Sequence, residues 1–251
     1  MRRIALAVAV VALAFAGCGG GDEERPPLVV SAAASLKDAL TQYGDGFQPA
    51  TVRYSFAGSD QLAAQIEHGV RPDVFASANT KLPEQLFAKG LVERPRVFAS
   101  NRLVLAVPGD STRVGSLADL AKPGVKVGLG APDVPVGAYA REVLGRLPAA
   151  QRRAILANVR TNEPDVAGIV GKLTQGAVDA GLVYVTDVKA SGGRLRAIAL
   201  PTALQPRVAY GVAIVKGAKH PEQARAYVEG LLAGDGRAAL RSAGFEEPPS
   251  A

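Results

Sequence analysis

Two serines in this 251-residue chain stand where an extended run gives way to a helix. In Val29-Val30-Ser31-Ala32-Ala33-Ala34-Ser35-Leu36-Lys37-Asp38, apolar residues yield to small ones and Ser35 opens an amphipathic helix. The same grammar recurs where Arg53-Tyr54-Ser55-Phe56-Ala57-Gly58 leads through Ser59 into Asp60-Gln61-Leu62-Ala63-Ala64-Gln65-Ile66. Each serine is expected as an N-cap, at the helix end whose unpaired N–H groups and macrodipole favour an anion. Singly, such a serine is an ordinary helix cap. Two at matching junctions point to a pocket for a small oxyanion.

Other chemistries find little support. His68 before Gly69 and His220 before Pro221 have no serine or carboxylate neighbourhood resembling a triad. Ser59, in Ala-Gly-Ser-Asp-Gln, is not on the Gly-x-Ser-x-Gly elbow of hydrolases. Ser35-Leu36-Lys37 lacks the Ser-x-x-Lys spacing, and Gly128-Leu129-Gly130 continues into Ala131-Pro132-Asp133 without the third glycine of a dinucleotide loop. Cys18 is the single cysteine, and no His/Cys/Asp cluster has metal-ligand spacing. We therefore expect no enzyme, no cofactor and no direct metal-cation site. The net charge of +6 is spread along the chain, tryptophan is absent and other aromatics are few, so nucleic acid is not an expected partner.

Arg2-Arg3 and the apolar run 4–15 read as a secretory signal peptide, 1–17, too short to span a membrane as a mature helix. The run ends in Phe15-Ala16-Gly17-Cys18, similar to the lipobox of bacterial lipoproteins with Phe15 where Leu is usual. Cleavage before Cys18 would leave its thiol to carry a diacylglyceryl group. Residues 18–27, rich in Gly and Pro, read as a flexible tether. The mature protein is expected outside the cytoplasm, in a periplasm or on the outer face of the cell membrane, lipid-anchored through Cys18.

From residue 28 short apolar strands alternate with helical patterns, the mark of an α/β protein, expected here with mostly parallel sheets. Strands are expected over 28–32, 52–56, 73–76, 103–107, 126–129, 180–185, 195–200 and 208–215. Helices are expected over 36–47, 60–68, 83–89, 117–120, 138–147, 166–174, 221–232 and 236–242. Hydrophobic residues make up 48%, enough for a sizeable core, and the length suits one large domain or two lobes. A cleft between lobes is a favoured site for a small ligand, and hinge closure around it a recurrent motion.

The most specific markers are Ala33-Ala34-Ser35-Leu36, Phe56-Ala57-Gly58-Ser59 with Leu62 and Gln65-Ile66, and Pro72-Asp73-Val74-Phe75-Ala76-Ser77-Ala78. They continue with Val134-Pro135-Val136-Gly137-Ala138-Tyr139-Ala140, Asp165-Val166 and Gly181-Leu182-Val183-Tyr184. Weak one by one, in this order and spacing they closely resemble the periplasmic molybdate-binding proteins of ABC importers, members of the type II solute-binding fold. The resemblance runs from about residue 28 to 245. It implies two lobes, 28–104 with 208–251 and 105–207, each a mostly parallel sheet flanked by helices, with the ligand in the cleft between them. It also implies that Ser35 and Ser59 offer hydroxyls to the oxyanion, Val136 and Val166 backbone N–H groups, and Tyr184 its phenol. The metal would then be held as its oxyanion, through these residues. Molybdate, and tungstate with it, would be captured by a monomer and delivered to a membrane permease and its ATPase.

The physics agrees with that implication. Val136 and Val166 follow Pro135 and Pro164, where a Pro-containing loop enters a helix and free N–H groups should project. Each hydrogen bond to a charged group contributes ~1.5–3 kcal/mol net, so a handful of neutral donors could reach ~10 kcal/mol, or tens of nanomolar affinity. Val136 stands where the family usually has Ala, a change that leaves the peptide nitrogen in place. Asp60 stands where a neutral polar residue is common, and its carboxylate is expected to point outward and complement the dipole at the first helical position. Another tetrahedral oxyanion, such as sulfate, thiosulfate or phosphate, is the alternative ligand. An organic acid would want an Arg clamp that none of the five positions supplies, and the effector lobe of a transcription regulator would need DNA-binding helices where this chain has an export signal.

Overall fold

The computed structural model describes residues 25–248; the expected signal peptide, Cys18 and most of the expected tether lie outside the described residues. In chain order the strands are β1 (Pro27–Ala33), β2 (Thr51–Ala57), β3 (Val74–Ser77), β4 (Arg96–Asn101), β5 (Leu103–Pro108), β6 (Val127–Gly130), β7 (Val159–Glu163), β8 (Ala180–Tyr184), β9 (Leu195–Ala199) and β10 (Val208–Ile214). The helices are α1 (Lys37–Asp45), α2 (Ser59–Glu67), α3 (Lys81–Ala88), α4 (Pro135–Gly145), α5 (Ala149–Ala157), α6 (Val166–Thr174), α7 (Val185–Ala190), α8 (Pro221–Ala233) and α9 (Asp235–Ala243). None is long and apolar enough to cross a membrane.

The strands form two five-stranded sheets, β2-β1-β3-β10-β4 and β7-β6-β8-β5-β9. Both are mixed rather than mostly parallel. β1 runs parallel to β2 and β3, and β6 parallel to β7 and β8. By contrast β10 is antiparallel to β3 and β4, and β5 antiparallel to β8 and β9. The reversed strands are the ones that arrive from the other sheet. A strand entering by a direct crossing, without a helical crossover inside its own sheet, is free to run the opposite way.

The chain changes sheet at Arg102, between Asn101 of β4 and Leu103 of β5, and returns through residues 200–207. The division expected after 104 therefore falls at 102, because Leu103 and Val104 already pair with Tyr184 and Val183 of β8. Beyond β10, α8 and α9 close on the first lobe. The Tyr227 ring of α8 meets Tyr43 and Phe47 at centroid distances of 4.7 and 5.4 Å.

The sequence signal was clearest where burial is complete. β3 and β8 are buried at every position, the apolar runs of central strands. β4 and β7, at sheet edges, carry Arg96, Asn101, Arg160, Asn162 and Glu163, so no apolar run marks them. α5 buries only Ile155 and shows almost no apolar stripe. α2 and α3 stop at Gly69 and Gly90, whose φ of 98° and 72° suits a residue without Cβ. Fully buried leucines such as Leu36, Leu62 and Leu105 each contribute ~1.5–3 kcal/mol by leaving water.

Candidate functional site

Ser35, Ser59, Val136, Val166 and Tyr184 line one cavity between the two sheets, of about 20 Å³. A single water needs roughly 10–15 Å³, so the cavity as it stands has room for one compact group. Ser35 and Ser59 come from the first lobe, the other three from the second.

Neither serine is the N-cap expected of it. Ser35 sits inside a 3-10 turn, Ala34–Leu36, whose cap position is Ala33. Its Oγ lies 3.0 Å from the Tyr210 hydroxyl. Ser59 is the first residue of α2, capped by Gly58, and its Oγ accepts a 3.1 Å hydrogen bond from the Ala78 N–H. No side chain fits at Gly58, the cap position: a Cβ would lie 2.4 Å from the Pro164 carbonyl oxygen of the opposite lobe. Relieved of capping, and with its oxygen already accepting from Ala78, Ser59 has its own hydrogen free.

α4 begins at Pro135, earlier than the expected 138, so Val136 is helical rather than in a loop. The helix start is pressed onto the end of β6, since a Cβ on Gly137 would fall 1.9 Å from the Ala131 carbonyl oxygen. Val166 is the first residue of α6, behind Asp165, whose carboxylate accepts from the Gly168 N–H at 2.9 Å. The first N–H groups of a helix have no acceptor within it. α2, α4 and α6 thus bring such groups to the cavity wall from both lobes.

Tyr184 ends β8 and caps α7, its N–H bonding the Asp187 carboxylate at 2.9 Å. Its side chain is 1% exposed, yet its hydroxyl has no hydrogen-bond partner among the described residues. A buried orphan of this kind costs ~1–3 kcal/mol until a water, an ion or a ligand in the cavity meets it. Burial pushes the phenol well above its ordinary pKa, so it stays a donor.

Among the described residues, no lysine or arginine lines the cavity. Asp165 does, with its carboxylate turned to Gly168. Asp60 does not line it but departs from expectation in another way. It is the second residue of α2, and its Oδ1 is buried without a hydrogen-bond partner among the described residues, on the side of Gly58 where the lobes meet, rather than pointing outward. Sequence reasoning gave no role to Ala78 or Tyr210. Both act through a serine oxygen, a contact between residues distant in the chain that leaves no local pattern.

A family model described as bacterial extracellular solute-binding protein matches residues 28–246. The molybdate-binding protein ModA of Mycobacterium tuberculosis is 34% identical over 267 residues, covering 99% of this chain and 100% of that protein. The putative ABC transporter substrate-binding lipoprotein YvgL of Bacillus subtilis is 30% identical, with 96% of each chain covered. Among solved structures, the periplasmic molybdate-binding protein of Azotobacter vinelandii superposes with a TM-score of 0.79 at 21% identity, covering 88% of this chain and 100% of that one. At that identity the likeness is one of fold.

Proposed function

The chain belongs to the bacterial extracellular solute-binding proteins, and on that premise we propose that it is the molybdate receptor of an ABC importer. The observation that carries this reading is the orphaned Tyr184 hydroxyl on a small cavity walled by two serines and helix starts, with no basic side chain. Neutral donors suit an anion that is fully deprotonated near neutral pH. Monohydrogen phosphate carries a proton for which the five donor positions supply no acceptor, and the one carboxylate on the wall, Asp165, is turned to the Gly168 N–H. Tungstate, with nearly the same radius and charge, should bind as well.

In this reading Ser35 and Ser59 hold the oxyanion from one lobe, and Tyr184 with the Val136 and Val166 N–H groups holds it from the other. Closure then brings donors from both sides to a single ion. The protein works as a monomeric carrier without catalysis or cofactor. It hands its ligand to a permease powered by an ATPase, and Cys18 keeps it at the membrane through a lipid. Isothermal titration with molybdate, tungstate, sulfate and phosphate tests the substrate. Sub-micromolar binding of the first two and none of the last two is expected, and tight binding of sulfate or phosphate would overturn the assignment.

A further inference from the structure

Behind Ser35 lies a buried polar chain that starts at the crossing between the lobes. Asn101, Tyr210 and Thr186 are 4%, 0% and 4% exposed. The Asn101 Oδ1 accepts the Arg102 N–H at 2.9 Å. A peptide N–H can only donate, so this contact fixes which end of the amide is oxygen. The Nδ2 end then donates to the Thr186 Oγ1 at 2.9 Å and to the Tyr210 hydroxyl at 3.4 Å. Tyr210 therefore accepts from Asn101 and still has one hydrogen to place, for which the Ser35 oxygen, 3.0 Å away, is a partner within reach. Burial holds the Tyr210 phenol protonated. Placing that hydrogen on the Ser35 oxygen satisfies the buried Tyr210 hydroxyl and leaves the serine's own hydrogen for the cavity it lines.

We propose that Asn101 is a positioning residue that sets the direction of the Ser35 hydroxyl through Tyr210, and so makes the pocket select oxyanions that carry no proton. The inference rests on the oxyanion reading above and extends it from the residues touching the ligand to one that does not. A serine free to rotate could accept a hydrogen bond from hydrogen phosphate. A serine locked as a donor cannot. Because Asn101 also holds Thr186 of α7, the lock is formed by residues of both lobes and is complete when they are together.

Asn101→Asp tests this with little change of shape. A carboxylate still accepts the Arg102 N–H and accepts from Thr186, but it also accepts from Tyr210. The chain reverses, and Ser35 offers the cavity lone pairs instead of a hydrogen. In mildly alkaline buffer, titration of the variant should show molybdate affinity down tenfold or more, as for one lost hydrogen bond to a charged group, and hydrogen phosphate affinity down less. The added charge acts through space as well, so the substitution is repeated in a Tyr210→Phe background, where the relay is absent. There N101D should cost clearly less. An equal cost in both backgrounds would leave only charge repulsion and overturn the proposal.

Should N101D fail to fold, Tyr210→Phe alone decides, since it keeps the ring among Phe98, Tyr184 and Phe245. A narrowed ratio of phosphate to molybdate dissociation constants is expected, and an unchanged ratio overturns the relay. A wild-type protein that prefers sulfate to molybdate would sink the substrate assignment but not this test, which then runs on the ratio of hydrogen phosphate to sulfate.

Discussion

Tyr184 and Ser59 both line the cavity, but the protein treats their hydroxyls differently. The Ser59 oxygen is tied to the Ala78 N–H, whereas the Tyr184 hydroxyl is tied to nothing among the described residues. Ser59→Ala should therefore lower molybdate affinity tenfold or more and also destabilise the ligand-free protein by ~1–3 kcal/mol, because it strands a buried N–H. Tyr184→Phe should cost a similar factor in affinity and leave the ligand-free protein as stable or more so. Titration calorimetry and denaturant unfolding on both variants separate the two effects. A loss of stability in Tyr184→Phe would mean that the hydroxyl has an internal partner. At this scale the sequence showed the residue types but assigned the wrong local job, capping, to both serines. A cap is decided by which backbone N–H lies within reach, and that depends on where the turn starts.

At the scale of elements, the start of α7 carries a second consequence. The Asp187 carboxyl accepts from the Tyr184 N–H, but burial pushes its pKa up from 3.8 to about 7, with Asp38 and Asp165 adding to the rise. Between those two values the folded state holds a proton that the unfolded chain has released, so stability falls as pH rises through this window and levels off above it. Asp187→Asn keeps an oxygen for the Tyr184 N–H and removes the titration. Thermal unfolding of the ligand-free protein from about pH 5 to pH 8 should show a smaller decline for the variant than for the wild type; parallel curves would exclude Asp187 as the source. α7 itself was hidden in the sequence, because it follows β8 without a break and the strand pattern runs on into Val185.

For the whole molecule the decisive contact is Gly58 against Pro164, one from each lobe. A Cβ at Gly58 would sit 2.4 Å from a backbone oxygen, and backbone cannot swing aside as a side chain would. Gly58→Ala should hold the lobes apart, weaken molybdate binding strongly and leave unfolding stability nearly unchanged. Small-angle scattering with and without ligand would show it as a failure to contract. Wild-type contraction and affinity in G58A would mean that the lobes do not meet at this point when ligand is bound.

The sequence by itself determined the strand–helix alternation, the buried central strands and the two serines at strand-to-helix junctions, and the resemblance carried by its ordered motifs implied all five positions that line the cavity. Those features are local or periodic, so a single chain displays them. Only the tertiary structure decided that both sheets are mixed, that the crossing falls at Arg102, that edge strands β4 and β7 exist, and that Asn101 and Tyr210 stand behind Ser35. Strand direction and hydrogen-bond polarity are set by partners far away in the chain, and no spacing within a segment records who those partners are.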